Sequence, residues 1–387
     1  MYTYKGEDPS LMYLEALHDL VATGEYYTPR AKKIQELRPV CFQFLNPLKR
    51  VTFLKGRRIN PFFQLAEVLW IFSGRADVEW LSYYNKNMIS FSDDGRYFNA
   101  PYGERLRRWN QSCLRNFIFN PYDQLYDVYE KIVDDRDTRQ AVALLWNPLF
   151  DSYSYVKDGG KDLPCNIALT FKVRNEKLDL TVFNRSNDLH WGLFGANLPQ
   201  FSSILELMAS WLRLDVGVYT HITDSLHIYL EDYGSQCTQD ILNNNSMTHT
   251  REIAQFFFKD EPRITCGKEG FEDILTYYWE IINRPLHSDR VINDSRSREL
   301  LIDTIDTLKD EYIKHTIQLM LVYRVYKLKM MTPMIDLLSN IKDSQWKIAC
   351  LRFIYDQVEK QGFGDILYKK ILSNYENEII KYIRNGA

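Results

Sequence analysis

The pattern of apolar and polar positions divides the chain into a mixed first part and an almost wholly helical remainder. Residues 11–22 set Leu14, Leu17 and Val21 on one face of a short helix. Between 37 and 56, the stretch LRPVCFQFLNPLKRVTFL reads as β-strands broken by the Asn-Pro turn at 46–47. PFFQLAEVLWIF (61–72) opens on a proline, which suits a first helical turn, and stops at Ser73-Gly74. This helix is apolar nearly all round and is expected to be buried, yet it carries Glu67. A carboxylate there is costly unless it is paired or working.

Further along, a surface helix is expected over 122–133 and a strand over 140–146. Residues 166–174 and 177–184 alternate as the arms of a β-hairpin around Asn-Glu-Lys. An amphipathic helix is expected over about 199–213, and 223–233 (TDSLHIYLEDY) combines a strand with a helix start. The segment 234–250 is polar and weakly periodic, and 270–387 reads as helix almost throughout. There is no internal repeat and no low-complexity tract. The organisation expected is a mixed α/β catalytic region, residues 1–240, followed by a helical region, residues 241–387.

A net charge of −3 gives no broad basic surface, so direct nucleic-acid binding is not expected, although a few local arginines can hold an anionic substrate. The six cysteines (41, 113, 165, 237, 266 and 350) are scattered without CxxC or zinc-ligand spacing, and no metal is expected. The start of the chain lacks the basic and apolar blocks of a signal peptide, and no uncharged run reaches membrane-spanning length. Reduced thiols and a cytoplasmic location follow as expectations.

The candidate chemistry centres on LPCN (163–166) and NRSND (184–188). A cysteine after a proline at a strand edge is held in a fixed direction, and nearby arginines favour its thiolate. Arg185 and Ser186 offer a guanidinium fork and a hydroxyl, a pair suited to phosphate. Taken singly, the motifs read more readily as a buried strand cysteine and a surface arginine.

Their order with the Gly192–Asn197 turn and TDSLHIY resembles the thymidylate synthase and pyrimidine nucleotide hydroxymethylase family. That family's pattern runs Pro-Cys, Arg-Ser-x-Asp, Gly with Asn or Asp soon after, and His-x-Tyr. AEVLWIFSG (66–74), APYGERLRRW (100–109) and DRDTRQAVALLWNP (135–148) agree upstream, so the resemblance covers roughly residues 28–233.

The resemblance implies a three-layer α/β fold with a large mixed sheet, dimerising through sheet faces. It implies 5,10-methylenetetrahydrofolate as cosubstrate and a pyrimidine nucleoside monophosphate as substrate. Cys165 matches the nucleophile that attacks C6 of the ring and makes C5 nucleophilic, and Glu67 matches the glutamate that manages protons there. Tyr102 matches the tyrosine that orients the cysteine region and assists proton removal at C5. Asp188 matches an aspartate tied to folate binding and proton movement, and Trp70 falls in a block tied to the folate. Arg185, Ser186 and Arg30 match phosphate ligands, and His227 with Tyr229 matches the pair that bonds the sugar. Arg139 matches one of two adjacent arginines donated across the dimer, the second position here being Gln140. His190 has no catalytic counterpart and is expected to be structural.

Three departures bear on the reaction. Pro-Cys-Asn stands where synthases commonly have Pro-Cys-His. GLFGAN needs one extra residue to bring Asn197 onto the ring-reading position, where an amide suits uracil and a carboxylate suits cytosine. Synthases also end soon after His-x-Tyr in an apolar tail that excludes water, whereas this chain runs on through a helical region to YIRNGA. Water reaching an exocyclic methylene at C5 gives a hydroxymethyl group, and hydride gives a methyl group. HWGLFGAN also resembles the phage-type hydroxymethylases, which connects the chain with bacteriophage DNA modification. The expectation is hydroxymethylation of dUMP. The alternatives are a thymidylate synthase, a dCMP or CMP hydroxymethylase, and a catalytically retired binding module.

Overall fold

The computed structural model describes residues 1–57, 59–109, 121–254 and 260–385; Cys113 and the last two residues lie outside them. The described residues form two compact units, Met1–Thr52 with Ala66–Leu242, and Phe53–Leu65 with Asn243–Ala387.

The first unit is mixed α/β. Its strands are β1 (Tyr2–Gly6), β2 (Glu25–Tyr27), β3 (Ile34–Leu37), β4 (Val40–Phe44), β5 (Val142–Leu144), β6 (Asn166–Arg174), β7 (Lys177–Asn184), β8 (Asn187–Asp188), β9 (Asp215–Thr223) and β10 (Leu226–Tyr229). Six of them form a mixed sheet in the order β1-β4-β9-β7-β6-β5, and the other four a small sheet in the order β2-β3-β10-β8. In the large sheet β1/β4 and β7/β9 pair parallel and the remaining pairs are antiparallel. The β6/β7 hairpin turns through Asn175 and Glu176, both at positive φ (52° and 59°), as a tight two-residue connection requires.

The sheet's covered face is aromatic. Tyr13, from helix Pro9–Thr23, stacks on Phe194 at 4.5 Å, and Phe44 stacks on Tyr219 at 5.2 Å. Helix Leu198–Leu212 packs on β7 and β9 and is buried nearly throughout. The amphipathic character expected for it is therefore corrected, because even its polar residues are taken up internally. Glu206, for example, forms a buried ion pair with Arg50 at 2.6 Å.

Other expectations are also corrected. No strand follows the Asn-Pro turn: residues 51–54 are buried without joining a ladder, their apolar run serving packing alone. Val21 is exposed, while Leu14 and Leu17 are fully buried. The strand expected over 140–146 is only Val142–Leu144, and the polar stretch after 233 is helical, Asp232–Asn244 and Met247–Ala254. The helix at Pro61–Phe72 and the hairpin form as expected.

Among the described residues, the second unit from Met247 onward carries helices and no strand, its longest helix being Glu311–Lys327. Ser288, Asp294, Asp310 and Ser344 each cap a helix of this unit through the side chain. Buried Asp310 caps Glu311–Lys327 through the N–H of Ile313 at 3.0 Å and also accepts from the N–H groups of Thr265 and Cys266. Phe62 stacks on Tyr323 at 4.8 Å and meets Phe353 edge-on, and Phe53 meets Tyr382. Among the described residues no helix is long and apolar enough to cross a membrane.

Candidate active site

Cys165 immediately precedes β6 and Arg185 immediately follows β7, so both sit at the open end of the hairpin. The ladder's register continues past the strands: the backbone N–H of Arg185 donates to the Cys165 carbonyl. The guanidinium turns back on the same loop, with Nε donating to the Pro164 carbonyl at 2.9 Å and Nη2 to that of Leu163 at 3.3 Å. It also lies 6.0 Å from the centre of the Trp146 ring. Ser186 follows, its N–H donating to Asn184 Oδ1 at 2.8 Å.

Burial pushes the Cys165 thiol up, while the guanidiniums of Arg185 and Arg30 pull it down and Asp162 and Asp188 oppose them. Arg30 stands in the short turn Pro29–Ala31 between β2 and β3, with φ 50° and ψ 39°, a left-handed conformation uncommon for a side-chain-bearing residue. It is exposed and donates to the Tyr229 hydroxyl. Thus Arg30, on a separate sheet, faces the same thiol as Arg185.

The small sheet supplies the next group. In the parallel pair β8/β10, Asp188 lies opposite His227. His227 and Tyr229 are two apart on one strand and share a side, their ring centres 5.2 Å apart. Burial first, and then Arg30, lower His227 to about 4, so its ring is neutral near neutral pH. Asp188 Oδ1 accepts from the N–H of His190 at 2.9 Å, opening the π-helical segment Leu189–Asn197. His190 itself is buried, with Nδ1 bonded to the Tyr13 hydroxyl and Nε2 to that of Thr238.

Asn166, fully buried, links the cysteine to its surroundings. Its Nδ2 donates to the Tyr102 hydroxyl at 2.9 Å, and its Oδ1 accepts from Asn184 at 2.8 Å. Burial and then the neighbouring Cys165 raise Tyr102 above the usual phenol range. Tyr102 begins helix Tyr102–Arg107 directly after Pro101.

Glu67 lies at the middle of Pro61–Phe72. Burial pushes its carboxyl up to about 7, opposed by a hydrogen bond from Gln200. Its Oε2 is buried without a hydrogen-bond partner among the described residues. Asn197 ends the π-helical segment and donates to Gln200 Oε1 at 3.4 Å. Within that segment the N–H of Leu198 bonds the carbonyl of Leu193, five residues back, a turn that takes up one more residue than an α-turn. Gly192 is forced by closeness: a Cβ there would stand 2.2 Å from Asn187 Oδ1.

Cys165, Tyr102, Arg185, Arg30, Asp188 and Tyr229 therefore act on one another electrostatically, with His227 beside them. Trp70 is buried, its indole N–H donating to the Asp77 carbonyl and its ring edge-on to Phe98. Arg139 and Gln140 are exposed in the segment before β5. Asp162, Asn184 and Gln200 were not anticipated. Burial holds Asp162 at about 6 beside the thiol; its place three residues before Cys165 and that of Asn184 one before Arg185 were the available signals. Among the described residues no cluster of three or more His, Cys, Asp or Glu side chains is arranged to hold a metal ion.

A thiol on which two guanidiniums act, a phenol, and a buried carboxyl raised to about 7 are groups suited to nucleophilic addition with proton transfer. Residues 11–264 match the thymidylate synthase family, and the chain belongs to that family. Among its relatives is the deoxyuridylate hydroxymethyltransferase of Bacillus phage SP01, 46% identical over 99% of each chain. The protein of that name from Pseudomonas phage M6 is 37% identical over 55% of this chain and 57% of its own. A putative thymidylate synthase of Methanosarcina mazei is 33% identical over 47% of this chain and 80% of its own.

Proposed function

We propose that the protein converts dUMP to 5-hydroxymethyl-dUMP with 5,10-methylenetetrahydrofolate as cosubstrate. The observation that carries this is the Cys165 thiol under the charges of both Arg185 and Arg30, in a chain alike over 99% of its length to a deoxyuridylate hydroxymethyltransferase. The chemistry is assigned to residues 1–240, with the helical region 241–387 as an extension.

Cys165 adds to C6 of the uracil ring, which turns C5 into the nucleophile. Arg185, Ser186 and Arg30 bind the 5′-phosphate, and the two arginines also favour the thiolate. His227 and Tyr229, projecting from one side of β10, bond the sugar hydroxyl. Tyr102, held by Asn166, assists removal of the C5 proton. Asn197 reads O4 and N3–H of the ring. The π-helical turn before it supports that assignment, because it absorbs the extra residue in GLFGAN.

The unpartnered Glu67 Oε2 and the carboxylate of Asp188 suit a folate and its ordered water, and Trp70 would contribute from the Glu67 helix. The folate supplies a carbon at the oxidation level of formaldehyde. Glu67, titrating at about 7, takes and returns protons at the ring and positions the water whose oxygen becomes the hydroxyl.

The working form is a homodimer. Val142, Leu144 and Phe183 are exposed on one face of the large sheet, and Leu144, Ala168, Phe183 and Ile222 are successive cross-strand neighbours. An exposed apolar row of that kind suits a self-complementary interface. Arg139 would reach the partner's phosphate site across it.

Incubation with dUMP and 5,10-methylenetetrahydrofolate, followed by mass spectrometry, tests the reading. A nucleotide heavier by CH2O with tetrahydrofolate is expected. One heavier by CH2 with dihydrofolate would establish a synthase, and reaction with dCMP alone would overturn the base assignment.

A further inference from the structure

We propose that Gln200 sets the preference for uracil over cytosine by fixing which way round the Asn197 carboxamide is held. The inference rests on Asn197 being the group that reads the ring. An Asn carboxamide is ambiguous by itself. One orientation offers an acceptor to N3–H and a donor to O4, which is uracil; turned over, it offers a donor to N3 and an acceptor to the amino group, which is cytosine. Selectivity therefore requires something behind the amide that distinguishes its two ends.

Gln200 is that group, one turn along from Asn197 at the start of helix Leu198–Leu212. Both residues are buried, at 5% and 3% exposure, so water does not compensate a mismatched pair. Asn197 Nδ2 donates to Gln200 Oε1 at 3.4 Å, and Gln200 donates to the Glu67 carboxylate. The bond to Asn197 shows the polarity of the chain: the Gln200 carbonyl faces Asn197 and its amino group faces the Glu67 carboxyl, an arrangement that the ionised form of Glu67, which only accepts, enforces. Asn197 must then turn its amino group to Gln200. Its Oδ1 and the remaining N–H stay on one edge for the base, the pattern complementary to uracil. Reading cytosine would set Asn197 Oδ1 against Gln200 Oε1, and turning Gln200 as well would set Oε1 against Glu67 whenever that carboxyl is ionised.

Binding of dUMP and dCMP is measured by calorimetry without folate, so that turnover is not needed, and kcat/KM is measured for both. Gln200→Met keeps the side chain's length and removes both hydrogen bonds. It is expected to lower the dUMP-to-dCMP binding ratio by at least about tenfold. Gln200→Glu retains an acceptor toward Asn197 and is expected to keep the ratio while lowering kcat, because a second carboxyl then faces Glu67. A folded Gln200→Met protein with an unchanged ratio would overturn the role of Gln200, as would Gln200→Glu losing the ratio. Asn197→Ala separates the two layers. If it lowers the ratio and Gln200→Met does not, only the Gln200 proposal falls; if neither lowers it, the ring-reading role of Asn197 falls too.

Discussion

The backbone N–H of Arg185 donates to the Cys165 carbonyl at 2.9 Å, so the candidate nucleophile and a candidate phosphate ligand hang from one rung of the hairpin ladder. Removing the thiol should leave that rung intact. Cys165→Ser is expected to fold normally and to lose turnover on the order of a thousandfold or more. Release of tritium from [5-3H]dUMP, with circular dichroism as the folding control, checks it; retained release would exclude Cys165 as nucleophile.

Arg30 reaches the thiol from a turn rather than from the ladder, so its charge can be removed with little disturbance. Arg30→Gln should move the alkylation profile of Cys165 toward higher pH, because one of the two charges favouring the thiolate is gone. Iodoacetamide labelling of the Cys165 peptide against pH reads the shift. An unmoved profile would place Arg30 outside the thiol's electrostatic reach.

Glu67 links activity to stability. Its folded-state value, about 7, lies above the unfolded 4.5, so its protonated form contributes stability fully below pH 4.5, and that contribution is lost as pH rises through 7. The shift corresponds to on the order of 3 kcal/mol. Glu67→Gln cannot ionise; it should be inactive yet more heat-stable than the wild type at pH 8, the gap closing towards pH 4.5. Melting curves that run parallel across that range would show that Glu67 is not buried as a charge.

Asn166 is wholly buried between Tyr102 and Asn184. Asn166→Ala strands Asn184 Nδ2 and leaves the Tyr102 hydroxyl only the longer bond from the backbone N–H of residue 166, at 3.4 Å, and should cost about 1–3 kcal/mol in urea denaturation. It should also lower kcat, because Tyr102 loses the shorter of the two bonds that hold its hydroxyl. Full stability in that variant would mean that the two partners find each other or water.

If Arg139 is donated across a dimer, Arg139→Ala and Cys165→Ser proteins, each inactive alone, should recover activity when unfolded together and refolded. Random pairing restores about a quarter of the sites, since half the dimers are mixed and each carries one intact site. No recovery, or a monomer in sedimentation, would confine each site to one chain.

Local pattern carried much of this architecture, but not all of it. The β6/β7 hairpin and the Pro61–Phe72 helix were legible because alternation, turn residues and an N-terminal proline agree with the tertiary outcome. Residues 51–54 have the same apolar density but no ladder partner, and composition cannot reveal that. Strands β2 and β8, three and two residues long, are made by their neighbours rather than by their own propensity. Within the candidate site, the motifs point to residues one by one. They do not point to Gln200, because its meaning lies in a bond to a helix more than a hundred positions earlier in the chain.

The short stretch Phe53–Leu65 belongs by its contacts to the helical unit although it is made early. During synthesis Phe62 emerges long before Tyr323 and Phe353, against which it finally rests. Until the last third of the polypeptide is translated, these rings are without their native company and invite wrong associations. Shortening the gene after codon 242 would make that wait permanent. The helical unit thus holds partners that an early part of the chain must wait for.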